Sequence, residues 1–167
     1  MKQAIAGVSP AGVEETPVMT VWPSICAYPS GRFLGSLYSI RWPDLYIFRL
    51  GSLLALASIP HALGLFFYRL LPFVGVRYTL TNRRVVVQRG LAAEDDKAID
   101  LDRFEEIEVR VRNGQAWFEA GDLIFKRNGV ETFRLEGVSR PEVFRRCCIK
   151  SKEAFVGVQE VLGASLK

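Results

Sequence analysis

Between Leu50 and Tyr68 the chain runs for 19 residues without Asp, Glu, Lys or Arg (LGSLLALASIPHALGLFFY), and soon afterwards it reads VRYTLTNRRVVVQRGL, where apolar and polar residues largely alternate. As a helix rising about 1.5 Å per residue the first stretch would extend roughly 28 Å, against a bilayer hydrocarbon core of roughly 30 Å. The alternation in the second is that of a half-buried strand in a water-soluble sheet. One chain must satisfy both solvents, and the expectation is a small folded domain held at a membrane.

The competing reading is a buried hairpin or core helix in a soluble protein, since Pro60 interrupts the run and Gly51, Ser52, Ser58 and His61 dilute it. The flanks favour the membrane. Tyr38, Trp42 and Tyr46 precede the run and Phe66, Phe67 and Tyr68 close it, as in the aromatic belts at headgroup level, with Arg41, Arg49 and Arg69 able to snorkel. Tyr38, Trp42, Tyr46 and Tyr68 are therefore the expected membrane-interface residues. The expected helix fills 44–73, with Asp44 as N-cap and Pro72 as its stop. It stands alone or forms a hairpin with 33–40 that bends at Arg41-Trp42-Pro43-Asp44. Before it come a flexible tail over 1–17, which lacks the pattern of a cleaved signal peptide, and an 18–43 segment holding a short strand broken at Pro23 and an interfacial stretch.

From Val76 onward the pattern predicts antiparallel strands. Val76, Tyr78 and Leu80 alternate with Arg77, Thr79 and Thr81, and Asn82-Arg83 makes the turn into Val85-Val86-Val87. Further strands are expected at Ala98–Leu101, Glu106–Val111, Ala116–Ala120, Leu123–Arg127 and Glu131–Glu136, with turns at Asn113-Gly114, Gly121-Asp122 and Asn128-Gly129. Short strands at hairpin spacing imply a curved sheet or partly open barrel. A final helix is expected from an S-x-x-E capping box, Ser139 to Glu142, carrying Phe144, Cys147, Cys148, Ser151, Phe155, Val158 and Leu162 on one stripe. That stripe is expected to close the barrel.

Charge and cysteine content narrow the function classes. Residues 1–75 carry 5 basic and 3 acidic groups and residues 76–167 carry 17 and 15, so no basic stripe forms and nucleic acid is not an expected partner. Cys26, Cys147 and Cys148 make no disulfide framework and suit a reducing compartment. His61 is the sole histidine, which leaves no Ser-His-Asp, Cys-His or His-rich metal set; the reading for it is a neutral side chain capped by a helix carbonyl. The acidic residues Glu94-Asp95-Asp96, Asp100, Asp102, Glu105 and Glu106 fit no EF-hand spacing and read as a solvated loop. No glycine-rich phosphate loop is present, and no cofactor is expected.

Several of these segments carry a resemblance. Tyr78-Thr79-Leu80-Thr81-Asn82-Arg83-Arg84-Val85 followed by Arg89-Gly90 resembles the Y-x-x-T-N-x-R motif of the bacterial pleckstrin-homology (PH) domain family, in its YdbS-like membrane proteins. Ile99-Asp100-Leu101 with Ile107 to Val111 resembles the strands that follow, Leu135-Glu136-Gly137-Val138 with Pro141-Glu142 the strand-to-helix junction, and Trp22-Pro23-Ser24 the short strand that precedes the membrane segment. The likeness covers about residues 74–155. It implies a mainly β fold with α: a PH-like, partly open antiparallel barrel over 74–167, capped by a C-terminal amphipathic helix. It also implies a membrane hairpin before the domain, from which the Arg41–Asp44 break departs, and no enzymatic activity.

The leading expectation is a membrane-anchored, non-enzymatic binding or assembly module at the cell membrane, its domain facing the cytoplasm. Its partners would be membrane lipid and a protein partner or second copy. The alternative is a peripheral module gripping anionic phospholipid through Arg77, Arg83, Arg84 and Arg89, each basic group near the surface contributing about 1 kcal/mol. A small metal-dependent enzyme built on Asp100, Asp102 and Glu105 is a third.

Overall fold

The computed structural model describes residues 15–39, 44–45, 48–71 and 75–165. Its centre is a pair of antiparallel sheets closed by a helix. Strands β4 (Val76–Thr81) and β5 (Arg84–Arg89) form the expected hairpin in register from Val76↔Arg89 to Leu80↔Val85. The Thr81 hydroxyl closes its turn by accepting the amides of Arg83 (3.2 Å) and Arg84 (2.9 Å), the local side-chain bond that favours Thr at turns. Strands β1 (Pro17–Val21) and β6 (Glu94–Asp100) flank the hairpin, giving the order β1-β4-β5-β6. The second sheet is β7-β8-β9, from Glu106–Arg110, Ala120–Arg127 and Val130–Ser139.

The inward set of the alternation makes the core. Leu80, Val85, Leu101, Phe104, Ile107, Leu123, Phe125 and Leu135 are buried between the sheets. The C-terminal helix α4 (Pro141–Ser165) seats Phe144 and Cys148, both fully buried, against them. Phe155 packs more loosely at the edge of the same cluster. The PH-like architecture expected of 74–167 is present as two antiparallel sheets and a C-terminal helix.

Local details depart from the expectation. Ala116–Phe118 is a 3-10 turn rather than a strand, because Gln115 before it is buried and tied down. Its Oε1 accepts the Arg112 amide (2.7 Å) and its Nε2 donates to Asp122 (2.7 Å). Gly121-Asp122 is not a turn but lies within β8, where Asp122 is fully buried. The capping box does not form, since Ser139 still belongs to β9 and its hydroxyl contacts the Trp22 carbonyl (3.4 Å). Arg140, at φ 50°, makes the corner, and its carbonyl accepts the first helical amide, that of Val143 (3.0 Å). The acidic run Glu94-Asp95-Asp96, read as a loop, opens strand β6, where Asp95 and Asp96 pair with Arg84 and Arg89 of the neighbouring strand.

The largest correction concerns the apolar segment. The single helix expected from Asp44 to Leu71 is divided: β2 (Asp44–Leu45) pairs with β3 (Phe48–Arg49), α2 covers Leu50–Ala57 and α3 covers Ile59–Leu70. The break falls at Ser58 because Pro60 has no N–H to offer the carbonyl one turn earlier and its ring crowds that turn, whereas it fits the first turn of α3. No helix among the described residues is long and apolar enough to cross a membrane.

Upstream, Pro29 opens a helix, α1 (Pro29–Tyr38). This helix packs closely against the domain. A Cβ at Gly35 would stand 2.0 Å from the Gly114 carbonyl oxygen, so only glycine admits this approach. Gly114 itself takes φ 82° in the Asn113-Gly114 turn.

Candidate functional site

Three features outside the core are placed by this frame: the arginines of the first sheet, the acidic residues, and the apolar surface of α2 and α3.

The four arginines do not form one site. Arg77 and Arg84 point to the outer face of the first sheet and line a shallow cavity of about 390 Å³ with Thr79, Thr81, Gln88, Glu15 and Asp95. Arg84 is already paired there, its Nε 2.8 Å from Glu15 and its Nη2 3.1 Å from Asp95. The Arg84 hydrogen bond holds the Glu15 carboxyl below its usual range. Around them runs a chain of polar contacts: Thr20 to Thr79 (3.3 Å), Thr79 to Gln88 (3.1 Å) and Gln88 to Asp95 (3.1 Å). Two arginines facing two carboxylates leave the cavity without net charge, an arrangement suited to holding strands together rather than to drawing in an anion. Arg89 lies at the far end of β5, paired with Asp96 at 3.0 Å. Arg83 is exposed in the hairpin turn.

Of the acidic residues, Asp100 pairs with Arg103 (3.6 Å) and Glu105 accepts the Asn128 amide (3.0 Å). Among the described residues no three His, Cys, Asp or Glu side chains converge as a metal site. His61 is exposed on α3 rather than capped in a buried helix. Burial pushes the Cys26 thiol upward and the Cys148 thiol up to about 12.

Among the described residues nothing covers the apolar surface of α2 and α3. Leu53, Leu56, Ile59, Leu63, Phe66, Phe67, Tyr68 and Leu71 are all exposed, with Leu56 and Phe67 each at 61%. Monomeric soluble proteins rarely leave contiguous apolar patches beyond a few hundred Å² uncovered, and larger ones mark protein or membrane contacts. α3 touches the rest of the protein along a narrow line, where Tyr68 meets Tyr28 edge-on at 6.3 Å between ring centres. α2 is fixed through α1: the Tyr38 hydroxyl hydrogen-bonds the Ser58 hydroxyl at the break between the two helices. Behind it Tyr38 packs edge-on to Trp117 (5.6 Å) and Phe118 (6.3 Å).

Tyr38, expected at a membrane interface, is a buried pin, 7% exposed, between α1, the break before α3 and the Trp117-Phe118 turn. Tyr68 is half-exposed on the apolar surface of α3. Trp42 and Tyr46 lie outside the described residues. The residues missed by sequence reasoning are Gly35 and Gly114, whose contact spans 79 positions and has no local signature, and Asp122, whose Gly-Asp context reads as a turn. Asp122 Oδ1 accepts from Gln115 (2.7 Å) and from the Gly137 amide (2.9 Å), while Arg112 Nη2 stands 2.6 Å from Oδ2. These contacts brace the loop that receives α1.

A family model for the bacterial PH domain matches residues 32–148. The match runs from within α1 through α2 and α3, strands β4 to β9 and the start of α4, leaving out β1, so the helical insert is part of the matched unit. No curated protein and no solved structure matches the chain. With more than half of its length matched, in an order of sheets and helix that fits the fold, the chain belongs to the bacterial PH domain family.

Proposed function

We propose that this protein is a non-catalytic binding module held on a membrane surface, with α2 and α3 lying in one leaflet and the PH-like barrel standing above it. The exposed apolar surface of α2 and α3 carries this reading. At about 1.5 Å per residue, 8 and 12 helical residues extend only about 12 and 18 Å, too short to cross singly but sufficient to lie at the boundary of headgroups and acyl chains. The rigid link through α1 gives the inserted helices a fixed orientation to the barrel. The paired state of Arg84 and Arg89 makes apolar burial, and not arginine–phosphate attraction, the main source of affinity.

Vesicle flotation tests this. The full chain is expected to float with phosphatidylcholine vesicles and to remain bound in high salt, because apolar burial is not screened. Sealing half of two Phe rings is worth about 2 kcal/mol together, so Phe66→Ser/Phe67→Ser is expected to weaken partitioning about thirtyfold. Binding that vanishes in salt and in Arg83→Glu/Arg84→Glu, but survives the Phe substitutions, would instead support the anionic-headgroup reading.

A further inference from the structure

Helix α4 and strand β7 enclose a cleft of about 530 Å³ on the side of the barrel. Its floor is apolar, from Ile107, Ile149 and Val156, the last 38% exposed. Its charge is not balanced. Glu153 and Glu160 line it with no ion pair or hydrogen bond among the described residues, and Glu106 lines it with the cross-strand Lys126, itself paired with Glu108, as its neighbouring cation. The two cations beside them are engaged by their own chain: Arg145 with Glu142 at 3.2 Å, and Lys152 with the Phe104 carbonyl at 2.6 Å while it lies over the Phe104 ring at 5.1 Å.

The cleft also runs along a sheet edge. β7 is the outermost strand in the order β7-β8-β9, and an edge strand offers backbone N–H and C=O groups to an added strand. A peptide joining such an edge gains main-chain hydrogen bonds, and its alternate side chains point into whatever pocket lies beneath. Here the pocket is apolar and its rim negative. We infer that this cleft binds an extended segment of a partner protein as a fourth strand beside β7, with an apolar side chain against Ile107, Ile149 and Val156 and flanking Lys or Arg side chains facing Glu106, Glu153 and Glu160. The inference does not depend on the membrane reading, because the cleft uses none of the exposed apolar residues of α2 or α3.

The test uses the full chain on phosphatidylcholine vesicles with two fluorescein-labelled probes, a peptide alternating Lys with Val and one alternating Glu with Val. Anisotropy titration is expected to show saturable binding of the Lys–Val peptide and none of the Glu–Val peptide. Glu153→Lys/Glu160→Lys is expected to weaken the Lys–Val peptide at least about tenfold, as is Val156→Asp. All three residues are exposed on the helix, and unchanged thermal unfolding of the variants separates lost binding from lost fold. Amide exchange at 106–110 is expected to slow when the peptide binds. Failure of the Lys–Val peptide to bind, equal affinity of variant and parent, or unchanged exchange along β7 would each overturn the inference, and none would touch the flotation result.

Discussion

Asp122 illustrates what a single side chain does here. A buried carboxylate must be compensated: Gln115 and the Gly137 amide hydrogen-bond Asp122 Oδ1, and the Arg112 guanidinium beside Oδ2 supplies the opposite charge. Removing it takes away the contact that joins the 112–115 loop to β9. Asp122→Ala is therefore expected to lower stability by about 3–5 kcal/mol, read as a drop in urea midpoint. Cys148 makes the complementary case of a group kept neutral. Its thiol is raised to about 12 by burial, against roughly 8.5 in an unfolded chain. A raised pKa contributes stability that is complete below the unfolded value and fades as pH climbs from there towards the folded value. Stability is expected to fall between about pH 8.5 and 12, and Cys148→Ser or Ala is expected to flatten that decline. At pH 8, Cys26 and Cys148 are expected to resist maleimide until denaturant is added; labelling of both in the native protein would contradict their place in the core.

At the scale of elements, α1 and α4 are held by different physics. α4 depends on apolar burial, so Phe144→Ala is expected to cost about 3–5 kcal/mol. Arg145→Ala, which gives up a surface pair with Glu142, is expected to change stability by no more than about 0.5 kcal/mol. α1 depends on the absence of a side chain. Gly35→Ala is expected to force the helix off Gly114 at a cost of about 1–3 kcal/mol and to break the Tyr38–Ser58 tie, which mobility of a spin label on α2 would register. The hairpins were the legible elements. Val76 to Arg89 reads correctly from alternation, and the Asn128-Gly129 turn from its residues, which take φ 51° and 75°. The apolar run was legible in composition but not in shape. Hydropathy reports how much a segment resists water, and a proline at position 60 decides that the segment is two helices; giving it less weight than the uninterrupted lack of charge produced one helix where there are two. The long-range contacts of Gly35, Tyr38 and Asp122 leave no local pattern, so a sequence window shows them as a helix glycine, a belt aromatic and a turn acid.

For the whole molecule, the PH-like domain, the helical insert pinned to it and the apolar surface that no described residue covers are the three parts on which the proposed attitude to a membrane rests. Arg84 and Arg89 tie neighbouring segments of the first sheet, Arg84 to Glu15 and Asp95 and Arg89 to Asp96. Insertion depth tests the membrane claim most directly. Phe67→Trp and, as a control, Val130→Trp at the β8–β9 turn are to be compared for quenching by phospholipids brominated at successive acyl positions. Leaflet insertion of α2 and α3 predicts strong quenching of the residue-67 tryptophan by the shallow bromines, about 5–10 Å below the headgroup boundary, with little quenching at residue 130. Equal, weak quenching at both positions would contradict it and leave the apolar surface of α2 and α3 to a protein partner.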